Sequence, residues 1–95
     1  IHTANMGGSY MVIVNGFAGV RIQEDGLHMA PYLPAAWSGY RFQMQYRGSS
    51  LELSVHKTGY CISLLNDVPV TILLPGTSIV LDRKASEYVQ AWQEG

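Results

Sequence analysis

The sequence predicts a mainly β protein, a small antiparallel two-layer β-sandwich of jelly-roll-like form preceded by one N-terminal helix. Three observations carry that prediction. Between Val20 and Leu81 apolar and polar residues alternate in short runs, the period of strands with one buried face. Turn-forming pairs such as Pro75-Gly76 and Asn66-Asp67 separate the runs. Residues 1–19, in contrast, lack the alternation and are apolar on every side of a helical wheel. At 95 residues and 10.5 kDa the chain has room for a single core.

Taken in order, the first segment places Met6, Tyr10, Met11, Val12, Ile13, Val14, Phe17 and Val20 around a whole helical circumference. Such a helix belongs inside a core, and a domain this small cannot cover it. The small residues Gly7, Gly8, Gly16, Ala18 and Gly19 weaken an isolated helix but let neighbouring backbones approach closely. A strand over Tyr10 to Val14 is the competing reading, because β-branched residues gather there. The run is too short to span a membrane, and Asn15 and Gly16 interrupt it. An apolar face from Tyr10 to Phe17 predicts self-association, hence a homo-oligomer. The first residue is isoleucine, which points to a processed chain or the tail of a longer one. No signal peptide is visible, although a fragment would have lost it.

The strands follow. Val20 to Gln23, a Glu24-Asp25-Gly26 turn and Leu27 to Met29 form a hairpin pattern. Pro31 and Pro34 break regular pairing before Tyr40 to Arg47, where Tyr40, Phe42, Met44 and Tyr46 share one face. Leu51 to His56 alternates in the same way, Tyr60 to Leu65 follows Thr58-Gly59, and Val68 to Leu74 and Ser78 to Leu81 flank Pro75-Gly76. The total is six or seven antiparallel strands. In the tail, Tyr88, Val89 and Trp92 fall at helical spacing among Ala85, Glu87, Gln90 and Ala91, which predicts a short C-terminal helix, with a frayed end as the alternative.

Charge and composition narrow the function. Only 14% of residues are charged and the formal net charge is −1, so neither nucleic acid nor an anionic membrane is an expected partner. Cys61 is the single cysteine, lies in an apolar run and reads as structural, which suits a reducing cytoplasm. His2, His28 and His56 have no pairwise spacing suited to a metal, so no metal site is expected. Glu24 and Asp25 are turn residues rather than a pair facing across a cleft, and neither a Ser/His/Asp arrangement nor a Walker-type loop is present. His2 stands apart. An imidazole preceding a Gly-rich helix opening at Gly7-Gly8 suits an anion such as phosphate, the alternative being a histidine near a frayed terminus. Tyr32, Trp37, Tyr40, Tyr46, Tyr60 and Trp92 are candidates for a sugar-binding face, but Tyr40, Phe42 and Tyr46 share the face of Met44 and read as core, which leaves an exposed Trp37 or Tyr32 as the residue to carry such binding.

The order His2-Thr3-Ala4-Asn5-Met6-Gly7-Gly8-Ser9-Tyr10, then Gly16-Phe17-Ala18-Gly19-Val20-Arg21-Ile22, resembles the end of the catalytic domain of glycoside hydrolase family 65, which includes maltose, trehalose, kojibiose and nigerose phosphorylases. Leu33-Pro34-Ala35-Ala36-Trp37-Ser38-Gly39-Tyr40-Arg41-Phe42, Tyr46-Arg47-Gly48 and the Leu51 to Val55 strand resemble the small C-terminal sandwich of the same enzymes. Residues 82–95 find no counterpart, and Ser9 and Tyr10 depart from the threonine and tryptophan of many relatives.

The resemblance implies a parent with an (α/α)6 barrel. Residues 1–19 would be its last helix, residues 20–82 the appended C-terminal domain, and residues 83–95 a tail. It implies inverting phosphorolysis of an α-glucosidic bond in an α-linked glucose disaccharide such as maltose or trehalose. The products are β-glucose 1-phosphate and a released sugar, and inorganic phosphate serves as co-substrate with no other cofactor. The family's general-acid glutamate would lie upstream, leaving no catalytic residue in this chain, while His2, Gly7 and Gly8 match the phosphate pocket. The domain itself would support the barrel. A carbohydrate-binding module, or the same domain of a hydrolase of the family, are the alternatives.

Overall fold

Side-chain parity along the alternating runs sets up two apolar sheet faces that can only be covered by each other. The structure, a computed structural model, describes residues 19–92. Within them eight strands occur: β1 (Arg21–Gln23), β2 (Gly26–His28), β3 (Gly39–Tyr46), β4 (Ser49–His56), β5 (Gly59–Leu64), β6 (Val70–Leu74), β7 (Thr77–Leu81) and β8 (Glu87–Ala91). They make two four-stranded sheets, ordered β1-β2-β6-β7 and β3-β4-β5-β8.

In the second sheet Phe42 lies opposite Leu53, and Leu53 opposite Ile62, so these three form one apolar row. Their faces meet Leu27, Ile72 and Leu81 of the first sheet in one buried cluster. Each fully buried leucine or isoleucine contributes about 1.5–3 kcal/mol, and a one-residue slip would turn a whole strand's apolar set to solvent. Arg41 and Gln43 alternate with this row and are exposed. Tyr40, Met44 and Tyr46 pack against the cluster from its margin, as their shared face predicts.

Turn chemistry fixes the register. Arg47 and Gly48 both have positive φ, 51° and 87°, the two-residue hairpin geometry whose twist matches that of its strands. The Arg47 guanidinium lies 5.2 Å from the centre of the Tyr46 ring. Next to this turn the buried Ser49 hydroxyl donates to the Val68 carbonyl at 2.8 Å, and Asn66 Nδ2 donates to the Gly48 carbonyl at 2.9 Å. Those two bonds tie the β3–β4 hairpin to the segment that crosses into the first sheet.

Three expectations are corrected. Eight strands replace the six or seven expected. The sandwich is not wholly antiparallel, because β2 and β6 pair in parallel, with Leu27 beside Ile72 and His28 beside Leu73. A parallel pair needs a long crossover, and here β3, β4 and β5 of the opposite sheet supply it. The C-terminal helix is in fact β8, which pairs antiparallel with β5 from Gly59↔Ala91 to Ser63↔Glu87. Asp82 Oδ1 accepts from the backbone N–H groups of Lys84 and Ala85, both at 2.9 Å, a cap that could have opened a helix. The chain leaves that turn when the Leu64 N–H donates to the Ser86 carbonyl at 2.7 Å, and the open edge of β5 then captures it as a strand. The helix expected over residues 1–19 lies outside the described residues except for Gly19. Among the described residues no helix is long and apolar enough to cross a membrane.

Candidate functional site

Of the residues singled out for chemistry, His2, Gly7 and Gly8 lie outside the described residues. The other two histidines sit on different sheets. His28 Nε2 bonds Asp25 Oδ1 at 2.7 Å across the β1–β2 hairpin. That hydrogen bond holds the Asp25 carboxyl below the usual carboxylate range. His56 stands on the exposed face of β4, with Nε2 2.8 Å from Ser54 Oγ. Among the described residues no carboxylate bonds the His56 ring, so this Ser-His contact lacks the third member that orients the base of a nucleophilic site. Cys61, half-buried on β5, has its Sγ 3.6 Å from Ser63 Oγ. Among the described residues no three His, Cys, Asp or Glu side chains gather as a metal would require.

Among the described residues a concave feature with a mainly apolar lining is built by the β2–β3 connection. Pro31 and Pro34 restrict its backbone, and the Trp37 N–H donates to the Pro34 carbonyl at 3.0 Å to close a turn. The Tyr40 hydroxyl donates to the Tyr32 carbonyl at 2.8 Å, pinning the loop to β3. Burial pushes the Tyr40 hydroxyl up from 10.0 to about 12. Trp37 meets Tyr40 edge-on, with ring centres 6.5 Å apart.

The facing wall is Trp92. Its backbone N–H donates to the Thr58 carbonyl at 3.2 Å and its indole Nε1–H to the His56 carbonyl at 2.8 Å, while its ring lies 5.5 Å from Tyr60. The result is an open cleft of about 400 Å³ lined by Pro31, Tyr32, Pro34, Trp37, Lys57 and Trp92, among others. It can bind an apolar surface. Its titratable side chains among the described residues are Tyr32 and Lys57, with no histidine, carboxylate or thiol beside them.

Tyr32, Trp37 and Trp92, all among the candidate aromatics for a sugar-binding face, thus line one cleft, but the strand that brings Trp92 there was not expected. The signal was available: Tyr88, Gln90 and Trp92 also alternate with Glu87, Val89 and Ala91, so the tail carries a strand period beside its helical one.

The family described as glycosyl hydrolase family 65, C-terminal domain, matches residues 20–81. The chain belongs to that family. Among family 65 relatives, an alpha,alpha-trehalose phosphorylase of Geobacillus stearothermophilus is 50% identical over 76 residues, covering 80% of this chain and 10% of that enzyme. A 1,2-alpha-glucosylglycerol phosphorylase of Bacillus selenitireducens is 39% identical over 84 residues, covering 86% of this chain and 11% of its own. A maltose phosphorylase of Bacillus subtilis is 32% identical over 81 residues, covering 85% of this chain and 11% of its own. In three dimensions the chain resembles a solved structure described as a kojibiose phosphorylase from the human microbiome. The TM-score is 0.78 at 23% identity, over 92% of this chain and 12% of the other, a likeness of fold. The family 65 domain described here thus spans about a tenth of the length of the curated relatives it matches.

Proposed function

We propose that this chain is the non-catalytic C-terminal domain of an inverting α-glucoside phosphorylase. The parent would convert a disaccharide such as maltose or trehalose, with phosphate, to β-glucose 1-phosphate and a released sugar. The observation that carries this reading is 50% identity over 76 residues to a trehalose phosphorylase of which this chain spans a tenth. In the parent a glutamic acid outside this chain protonates the leaving oxygen while phosphate attacks the opposite face of the sugar. His2, with the backbone at Gly7 and Gly8, helps hold that phosphate. The sandwich supports the barrel, and the assembly is a cytoplasmic homo-oligomer.

Two measurements test the reading. The isolated 95 residues are expected to show no phosphorolysis of maltose or trehalose, and measurable turnover refutes the non-catalytic role. In the full-length enzyme His2→Ala is expected to raise the KM for phosphate several-fold and leave that for the disaccharide less affected. An unchanged phosphate KM removes His2 from the pocket, and activity independent of phosphate points to a hydrolase.

A further inference from the structure

We propose that the Tyr32–Trp37 cleft is the seat on which the catalytic part of the parent phosphorylase docks, an inference that rests on the reading of this chain as one domain of such an enzyme. Tyr32 is 55% exposed and Trp37 44% exposed in a domain whose other large aromatics are mostly turned to the core. Tyrosine and tryptophan in a shallow apolar pocket are the side chains that dominate protein interfaces. The walls are already ordered by the bonds Trp92–His56, Tyr40–Tyr32 and Trp37–Pro34, so docking would cost little further side-chain or loop entropy.

The lining argues for a protein surface over a sugar. It contributes one charged group, Lys57, and no carboxylate or carboxamide. A hexose stacked in this open cleft would keep most of its hydroxyls in water and find only the Lys57 ammonium as a charged partner to fix its orientation. A complementary protein surface needs only apolar side chains for the cleft and one carboxylate to meet Lys57 at its rim.

The cleft also lies beside Gly19. Gly19 sits against Ala30, so close that a Cβ on Gly19 would come 2.9 Å from the Ala30 Cβ. Ala30 directly precedes Pro31 in the cleft wall, and Val20, 1% exposed, anchors the strand that leads away. Gly19, the first described residue, therefore stands at the edge of this cleft, and in the relatives some nine-tenths of the protein lies outside the matched region.

The test replaces the matched C-terminal region of the Geobacillus stearothermophilus trehalose phosphorylase with this chain carrying Tyr32→Cys. Maleimide labelling is read by peptide mass spectrometry so that Cys61 is scored separately. The thiol at the cleft is expected to react readily in the isolated chain and at least tenfold more slowly in the active chimera, and Lys57→Glu should restore much of its reactivity. Equal reactivity in an active chimera and the isolated chain overturns the docking while leaving the phosphorylase reading intact. Protection of the isolated chain by trehalose or maltose assigns the cleft to sugar instead and overturns it as well. The same Tyr32→Cys change in the full-length parent enzyme separates the two readings: equal reactivity there and in the isolated chain overturns the docking, and turnover that does not depend on phosphate overturns the phosphorylase reading.

Discussion

Replacing Gly59 by alanine tests whether β8 is held by backbone contact at a site with no room for a side chain. Gly59 opens β5 and lies in register with Ala91 of β8. A Cβ there would collide with the Gln90 carbonyl oxygen and stand 2.8 Å from the Ala91 Cα, both backbone atoms that cannot rotate aside. Either β5 and β8 separate or β8 peels away, taking Tyr88 and Trp92 from their contacts with Tyr60, at ring separations of 6.3 and 5.5 Å. Overpacking of this kind costs about 1–3 kcal/mol. Taking about 2 kcal/mol, and about 4–8 °C per kcal/mol for a domain of this size, Gly59→Ala should lower Tm by roughly 8–16 °C. Thermal melts followed by circular dichroism measure the shift, and hydrogen exchange shows whether β8 amides lose protection first. A Tm within about 2 °C of wild type with β8 still protected would refute the reasoning.

Three further outcomes follow from the core and its margins. Leu53→Ala removes a side chain that is 1% exposed at the centre of the second sheet and should cost about 2–5 kcal/mol in urea unfolding. Ser49→Ala deletes the buried hydroxyl bonded to the Val68 carbonyl and should cost about 0.5–1.5 kcal/mol, with a larger share regained by cysteine than by valine if the site tolerates only a small polar atom. For Tyr40 the folded pKa is raised by burial from 10.0 to about 12, so the neutral hydroxyl favours the folded state. That contribution is fully present below pH 10 and is lost as pH rises towards 12. An ultraviolet difference titration should show its latest tyrosine step vanish in Tyr40→Phe.

The strands were legible where one face alone is buried. Period two in Tyr40 to Tyr46 and Leu51 to Val55 specifies both the strand and its inward face, since any other register exposes Phe42 or Leu53. The turn at Pro75-Gly76 was equally legible, because those residues favour a reversal wherever they stand. Residues 85–92 were not, since Ala85, Glu87, Gln90 and Ala91 suit a helix locally, and it took the open edge of β5 to select the strand.

The sequence by itself determined that this is a β-rich chain with one core, that it resembles a family 65 C-terminal domain, and which residues of each long strand face inward. These are properties of short windows and ordered motifs. Tertiary structure alone decided that β2 runs parallel to β6, that the tail completes the second sheet, and that Trp92 faces Tyr32 and Trp37 across one cleft. The reason is physical: an apolar pattern states that a face must be covered, and only the closed chain states by what.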